Sequence, residues 1–255
     1  MRFVVHMHFD KDNDILLPPW YRIGFASMIK EALRQADATS KLYELYYGNA
    51  KKNRPKPFTF AVKLNISGVE KSTVNYLRLG NPFVSFYISS NDYEFTMTVY
   101  NGLLKLKQYA IYNNAIIIDR FNLLPEKTFS ESKAVFDIFS PIVVRKVDEN
   151  RKGTGYVHIN DSTYKQMLFY SIRSQCKFLG DSYLLNNDDI TMDTSGAFTV
   201  KIPHYNKKNP DKPEVITATD GCIAIQAPHE VLQLIYDIGL GARRSQGFGM
   251  LEVVG

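Results

Sequence analysis

The sequence predicts an α+β protein whose two halves contain similar sets of strands and helices. The chain has 255 residues, enough for one large hydrophobic core or two small ones. Hydrophobic residues make up 45% of it and charged residues 22%, as is typical of globular proteins. Apolar residues recur with the period of a strand in some segments and with that of a helix in others. This alternation indicates sheets with helices packed against them.

The first half begins with a strand over residues 2–9, where apolar side chains from Phe3 to Phe9 alternate with more polar ones. Pro18 and Pro19 then favour a helix start, and the next residues have helical spacing. The elements predicted after this strand are helices at 21–34 and 40–47 and strands at 58–66, 83–89 and 112–124. Residues 94–108 fit both patterns, because their β-branched and aromatic start favours a strand while the later leucines have helical spacing.

The apolar pattern of the second half predicts a similar series of elements. They are strands at 140–147 and 153–159, a helix at 163–178, a hairpin of 198–205 and 215–226, a helix at 229–238 and a final strand at 248–254. The stretch 125–139 between the halves is polar and lacks a strong pattern. We therefore expect a domain boundary there, which gives domains of residues 1–126 and 127–255.

The most distinctive motif lies at residues 239–249, just before the last strand. Gly-Leu-Gly and Gly-Phe-Gly bracket five residues that include Arg243 and Arg244. Glycine adopts positive φ angles and lets a phosphate chain approach the backbone, while arginines supply charge and forked donors. A tight turn with solvated arginines is the simpler interpretation, but four glycines at mirrored spacing favour a loop that holds a polyanion. The candidate contacts in this loop are Gly241, Arg243, Arg244, Ser245 and Gln246.

Basic residues concentrate in two further segments. The net charge of +5 permits a nucleic-acid partner without requiring one. One basic segment follows the first helices and contains Lys51, Lys52, Arg54 and Lys56; the other contains Lys201, Lys207, Lys208 and Lys212. Together with the glycine-rich loop, they predict a surface that follows a phosphate backbone.

The spacing of the four glycines resembles the C-terminal loop of the RAMP proteins of CRISPR systems, and within them the Cas-six family of endoribonucleases. Other segments resemble that family in the same order: Met1–Val5, Pro57–Ala61, Asn101–Leu104 and Ser140–Val144. The resemblance spans the whole chain and favours a helix at 94–108. Each half then reads β-α-β-β-α-β, so that the fold class is two tandem ferredoxin-like (RRM-like) domains, each an antiparallel sheet with two helices.

The resemblance implies an enzyme that binds CRISPR repeat RNA and processes precursor crRNA without a metal or any other cofactor. The ribose 2′-hydroxyl would attack the phosphate and leave 2′,3′-cyclic phosphate and 5′-hydroxyl ends. Relatives often place a catalytic histidine in a Leu-His-Glu context. Here the matching residues are Leu42, Tyr43 and Glu44, and no histidine occurs between His8 and His158.

The missing histidine leaves three hypotheses. In the first, Tyr43, with Tyr46 and Tyr47 beside it, holds the scissile phosphate or, if nearby lysines lower its pKa, transfers a proton. Alternatively, cations such as Lys30 and Lys52 catalyse the reaction together with an arginine of the glycine-rich loop. In the third hypothesis the protein is a RAMP subunit that binds guide RNA in an effector complex and cuts weakly or not at all.

The remaining expectations concern location and partners. No apolar run reaches the ~18 residues of a membrane span, and the N-terminus lacks the apolar core of a signal peptide. We expect a cytoplasmic protein that binds no membrane. Its expected partner is repeat RNA, and other CRISPR effector subunits and a homodimer remain open.

Overall fold

The computed structural model describes residues 1–11, 14–36, 41–48, 55–71, 75–147, 153–180, 183, 185–206 and 213–254. The strands are β1 (Arg2–Phe9), β2 (Leu16–Leu17), β3 (Phe58–Glu70), β4 (Tyr76–Ser90), β5 (Gln108–Ile111), β6 (Asn114–Leu123), β7 (Lys133–Ile138), β8 (Arg145–Val147), β9 (Gly153–Tyr156), β10 (Thr191–Asp193), β11 (Ala197–His204), β12 (Glu214–Gln226) and β13 (Leu251–Val253). The α-helices are α1 (Arg22–Ala36), α2 (Lys41–Tyr47), α3 (Tyr93–Leu106), α4 (Tyr164–Gln175) and α5 (His229–Ile238).

The first sheet has β1 at its centre, hydrogen-bonded to β4 on one side and to β6 on the other, both antiparallel. Its order is β2-β4-β1-β6-β5, and β3 also pairs with β4. Without the short strands β2 and β5, the order β3-β4-β1-β6 is that of a ferredoxin-like fold. Phe3, Val5 and Met7 are buried on one face of β1, as their alternation predicts.

The helix expected at 94–108 is confirmed as α3. Asp92 caps its first turn, because the carboxylate accepts a hydrogen bond from the backbone N–H of Phe95 at 2.9 Å. Gly102 lies so close to α1 that a Cβ atom there would be 1.9 Å from the carbonyl oxygen of Ala32. Glycine at this position therefore allows α1 and α3 to pack against each other.

The second sheet has the order β10-β12-β7-β13, and β11 pairs with β12. The order β11-β12-β7-β13 is again ferredoxin-like, which confirms the predicted fold class. Strand β7 lies at residues 133–138, inside the stretch 125–139 that lacks a strong sequence pattern, and was not predicted from the sequence. Ala134, Phe136 and Ile138 alternate into the core, but the strand is short and the exposed Val135 between them is also apolar, so the alternation is a weak signal.

Two predicted strands differ from the structure. The strand predicted at 112–124 is present as β6 but begins only at Asn114, because Tyr112 and Asn113 have φ angles of 47° and 63° and make the turn between β5 and β6. Residues 140–147 are only partly extended. Ile142 and Val143 form isolated bridges with Thr219 and Ala242, and β8 pairs with β9.

The chain folds into two compact units, and each unit contains one short segment from the other half of the sequence. The first contains Met1–Lys56, Val62–Pro125 and Pro203–Glu214; the second contains Pro57–Ala61, Glu126–Ile202 and Val215–Gly255. The expected division into domains of residues 1–126 and 127–255 stays a prediction. Among the described residues, no helix combines the length and the apolar character needed to cross a membrane.

Candidate nucleic-acid interface

In the first unit, helices α1 and α2 bring together the residues that we call the α1–α2 cluster: Lys30, Arg34, Tyr43, Tyr47 and Lys56. Lys30 and Arg34 are four residues apart on α1, and Tyr43 and Tyr47 are four apart on α2, so each pair lies on one helix face. The two tyrosine rings stack with centroids 5.7 Å apart and an interplanar angle of 27°. Local helix geometry therefore creates both the cation pair and the aromatic pair.

Three cations lie against these two rings. The Nζ atoms of Lys30 and Lys56 are 5.2 and 4.4 Å from the centroid of the Tyr47 ring. The guanidinium carbon of Arg34 is 4.2 Å from the centroid of the Tyr43 ring, and Arg34 also donates a hydrogen bond to the Tyr43 hydroxyl. Such cation–π contacts hold positive charge in fixed positions. The arrangement suits an anionic ligand.

The protonation of Tyr47 and Lys56 is perturbed in opposite directions. The Tyr47 hydroxyl is buried and makes no hydrogen bond within the described residues; burial, and then the neighbouring Tyr43, raise its pKa. Tyr47 therefore stays neutral. Desolvation, and then the charge of Lys30, lower the pKa of Lys56. Lys56 is thus a better proton donor than an ordinary lysine.

The other sequence candidates around the cluster have separate positions. Tyr46 faces the core, where its hydroxyl donates to Asp92 at 2.7 Å. Arg34 was missed by sequence reasoning, although its position one helical turn after Lys30 is a signal that could have found it. Several predicted contacts lie outside the described residues: Lys51, Lys52, Arg54, Lys207 and Lys208.

In the second unit, the glycine-rich loop needs glycine at each of its four positions. Gly239, Gly241, Gly247 and Gly249 have φ angles of 82°, 86°, 87° and 75°, where other residues are strained. A Cβ at Gly249 would be 2.0 Å from the carbonyl oxygen of Leu240. The Leu240 N–H in turn donates to the Gly249 carbonyl at 2.7 Å. The two Gly-apolar-Gly units therefore pair with each other and close the loop.

The two arginines of this loop have different environments. Arg244 is buried, with 9% of its surface accessible, and donates to the Ile238 carbonyl at 3.0 Å near the C-terminus of α5. Desolvation lowers its pKa to about 10. Arg243 is half-buried in a left-handed conformation and donates to the Gln246 side chain at 3.0 Å and to the Tyr156 hydroxyl. This favours Arg243 as the ligand contact and Arg244 as a support for the loop.

The remaining candidates of the second unit lie at different depths. Ser245 and Gln246 are half-buried, Gly241 is buried, and Lys201 is exposed on β11. The RNA contacts expected for these residues stay predictions.

Comparison with known proteins reveals relatives along the whole chain. A family model described as CRISPR associated protein Cas6, C-terminal, matches residues 124–253. The CRISPR-associated endoribonuclease Cas6 of Pyrococcus furiosus is 26% identical over 261 residues, which cover 100% of this chain and 90% of that protein.

Solved structures share the fold. A Cas6-related protein from Pyrococcus furiosus has a TM-score of 0.78 at 20% identity, covering 100% of this chain and 98% of the other. A RAMP protein described as binding different RNA substrates also has a TM-score of 0.78 at 20% identity, and both chains are covered completely. At this identity the likeness establishes the tandem ferredoxin-like fold. Because the family model matches just over half of the residues, and its region includes the glycine-rich loop, the chain belongs to the Cas6 family.

Proposed function

We propose that this protein binds CRISPR repeat RNA and cuts precursor crRNA by metal-independent attack of a ribose 2′-hydroxyl, with lysines in place of the usual histidine. The observation that carries the proposal is the pair of Lys30 and Lys56 at the Tyr47 ring. Lys56 also has a lowered pKa, caused by desolvation and by Lys30. Two lysines held side by side, one of them with a lowered pKa, can stabilise the charge on one phosphate and donate a proton to its leaving group.

The reaction assigns one role to each group. The 2′-oxygen forms a bond to phosphorus, its proton passes to solvent, and the bond from phosphorus to the 5′-oxygen breaks. The ammonium of Lys56 donates a proton to the departing 5′-oxygen and is reprotonated from water. Lys30 stabilises the negative charge that accumulates on the phosphate, and the ring of neutral Tyr47 holds Lys30 and Lys56 in place. Lys52 stays a further candidate for the cation set.

Other basic residues hold the RNA backbone in this proposal. Arg243 contacts a phosphate directly, while Ser245, Gln246 and the backbone of Gly241 line the same loop. Arg244 contributes by keeping the loop closed through Ile238. The residues proposed to contact RNA elsewhere are Lys51, Arg54, Lys201, Lys207 and Lys208.

The test is single-turnover cleavage of repeat RNA in EDTA. Wild-type protein is expected to give 2′,3′-cyclic phosphate and 5′-hydroxyl ends, and a 2′-deoxy substitution at the cut site is expected to abolish cleavage. Lys56→Gln is expected to slow cleavage by roughly 10²–10⁴-fold, the usual contribution of a positioned proton donor. Lys41→Gln is the matched control, because Lys41 is an exposed lysine on α2 whose partner is Glu94. A requirement for Mg²⁺, or cleavage of the 2′-deoxy RNA, would overturn the mechanism.

The second candidate function is a RAMP subunit that binds guide RNA in an effector complex without cutting it. The observation that favours it is that Tyr43 replaces the histidine of the Leu-His-Glu motif, and that its hydroxyl already accepts a hydrogen bond from Arg34. This function predicts tight binding and no cleavage in EDTA or Mg²⁺. Other CRISPR effector subunits would then be the partners, and size-exclusion chromatography tests the homodimer.

A further inference from the structure

We propose that Arg34 and Tyr43 form a stacking platform for an RNA base beside the scissile phosphate. This inference rests on the proposed function, because it uses the same RNA and the same cut site. It gives the position where relatives place a catalytic histidine a different role in this chain: base recognition instead of proton transfer.

The geometry of the α1–α2 cluster supports the platform. The Arg34 guanidinium lies over the Tyr43 ring at 4.2 Å, and the Tyr43 ring stacks on Tyr47 at 5.7 Å. Lys56 and Lys30 lie against Tyr47. The side chains of the cluster thus follow one another in the order lysines, Tyr47, Tyr43 and Arg34. The proposed phosphate site is at the lysine end, and Arg34 is at the other end. A nucleotide bound next to the lysines would have its base near Arg34 and Tyr43.

Arg34 is available to a ligand and is held in place. Its side chain is 51% exposed, and its Nη1 atom is 3.4 Å from a carboxylate oxygen of Glu31. The hydrogen bond to the Tyr43 hydroxyl fixes the guanidinium beside the ring. A guanidinium is planar and weakly hydrated, so a base stacks on it at a low desolvation cost. Aromatic side chains and arginine planes are the usual stacking partners of unpaired RNA bases.

The same contacts argue against Tyr43 as a proton-transfer group. Its hydroxyl oxygen accepts the hydrogen bond from Arg34, while its ring lies in contact with Tyr47. A group that removed the 2′-hydroxyl proton would need that oxygen directed at the ribose. Stacking uses the ring and leaves the hydroxyl to orient Arg34.

The experiment measures coupling between the platform and a single base. Repeat RNA made uncleavable by 2′-deoxy substitution at the cut site carries an abasic nucleotide immediately 5′ or 3′ of the scissile phosphate. Wild-type protein is expected to bind one of these RNAs roughly 10-fold more weakly than the intact RNA, the size of one lost base stack. Arg34→Ala and Tyr43→Ala are expected to bind intact RNA more weakly by a similar factor and to show no further loss with the abasic RNA.

A second readout does not depend on affinity. 2-Aminopurine at the sensitive position is expected to lose fluorescence on binding to wild-type protein, to lose part of it on binding to Tyr43→Phe, which keeps the ring, and to stay bright with Arg34→Ala. Arg173→Ala is the control, because Arg173 is an exposed arginine on α4. Equal abasic losses in wild-type and Arg34→Ala protein, or no abasic loss in wild-type protein, would overturn the platform.

The two proposals fail separately. Because the binding assays use uncleavable RNA, the platform is measured even if the protein cuts nothing. If cleavage depends on Lys56 but the abasic RNA weakens binding equally in wild-type and Arg34→Ala protein, only the platform is contradicted. Absence of any binding to repeat RNA removes both.

Discussion

At the scale of single residues, burial decides what each ionisable group can do. Lys56 and Tyr47 lie in one cluster, yet desolvation makes the lysine a better acid and the tyrosine a weaker one. In each case the neutral form is favoured, because a partly dry site penalises charge. Within the cluster, the lysine is therefore the group whose pKa moves towards neutral pH, while the tyrosine stays protonated.

A prediction at this scale concerns the pH dependence of cleavage. The pKa of Lys56 is lowered from the ordinary lysine value of 10.5. A plot of log cleavage rate against pH is therefore expected to rise and then to become less steep at the pKa of Lys56, which gives a bend below pH 10.5. Lys30→Gln removes the charge that helps to lower this pKa. The bend is therefore expected to move to higher pH in single-turnover rates at saturating protein. An unmoved or acid-shifted bend would show that Lys56 is not the acid.

The adjacent arginines provide a second prediction. Arg244→Ala removes a charged donor from the buried Ile238 carbonyl and is expected to lower the free energy of unfolding by about 2 kcal/mol. Arg243→Ala is expected to change stability by less than about 0.5 kcal/mol, because its partners Gln246 and Tyr156 are themselves half-buried, while weakening RNA binding. Urea denaturation and filter binding measure the two effects. The reverse pattern would contradict the separation of roles.

At the scale of elements, the glycine-rich loop is an example of local sequence that dictates local structure. Its two Gly-apolar-Gly units hydrogen-bond to each other. The loop also bonds to residues 140–143, because the Gly249 N–H donates to the Ser140 and Pro141 carbonyls and the Ala242 N–H donates to the Val143 carbonyl. Leu240 and Phe248, between the glycines, are fully buried. The apolar residues anchor the loop and the glycines let its two ends approach each other, so that Ala242, Arg243, Ser245 and Gln246 are half-buried while Arg244 is buried.

Gly249→Ala tests this element. Its Cβ would meet the Leu240 carbonyl at 2.0 Å, and φ is 75°, so the free energy of unfolding is expected to fall by at least about 3 kcal/mol. Gly68→Ala is the control, because nothing lies within 4 Å of a Cβ there. That change is expected to stay within about 1 kcal/mol. Similar losses in the two variants would mean that the loop does not depend on close backbone approach.

At the scale of the whole molecule, the net charge of +5 is modest, and its effect depends on where the cations lie. The first unit presents the α1–α2 cluster, and the second presents Arg243 and the exposed Lys201. If one RNA backbone contacts both units, its affinity must depend on the cations of both.

Salt dependence of binding tests this statement. Each neutralised phosphate of single-stranded RNA contributes about −0.7 to the slope of log affinity against log salt. Lys30→Gln and Arg243→Ala are each expected to make the slope less steep by about 0.7, and the double variant by about 1.4. Lys41→Gln is expected to leave the slope unchanged. A double variant no different from either single variant would show that the two residues do not contact the same RNA.

Much of the fold could be predicted because its signals are local. Helix α5 has the predicted bounds of 229–238, and β1 has the predicted bounds of 2–9. Strand β7 was missed because its short alternation is weak until two neighbouring strands, β12 and β13, pair with it. The exchanged segments 57–61 and 203–214 were also beyond prediction, because unit membership depends on packing between residues distant in sequence.

The sequence by itself determined the order of most helices and strands, the glycine spacing and the absence of a histidine from residues 9–157. These are properties of neighbouring residues, and backbone preference and side-chain period decide them. Only the tertiary structure decided that Arg34 lies on Tyr43, that Lys30 and Lys56 lie against Tyr47, and that Arg244 is buried while Arg243 is not. The physical reason is that desolvation and contact depend on which distant segments pack around a side chain.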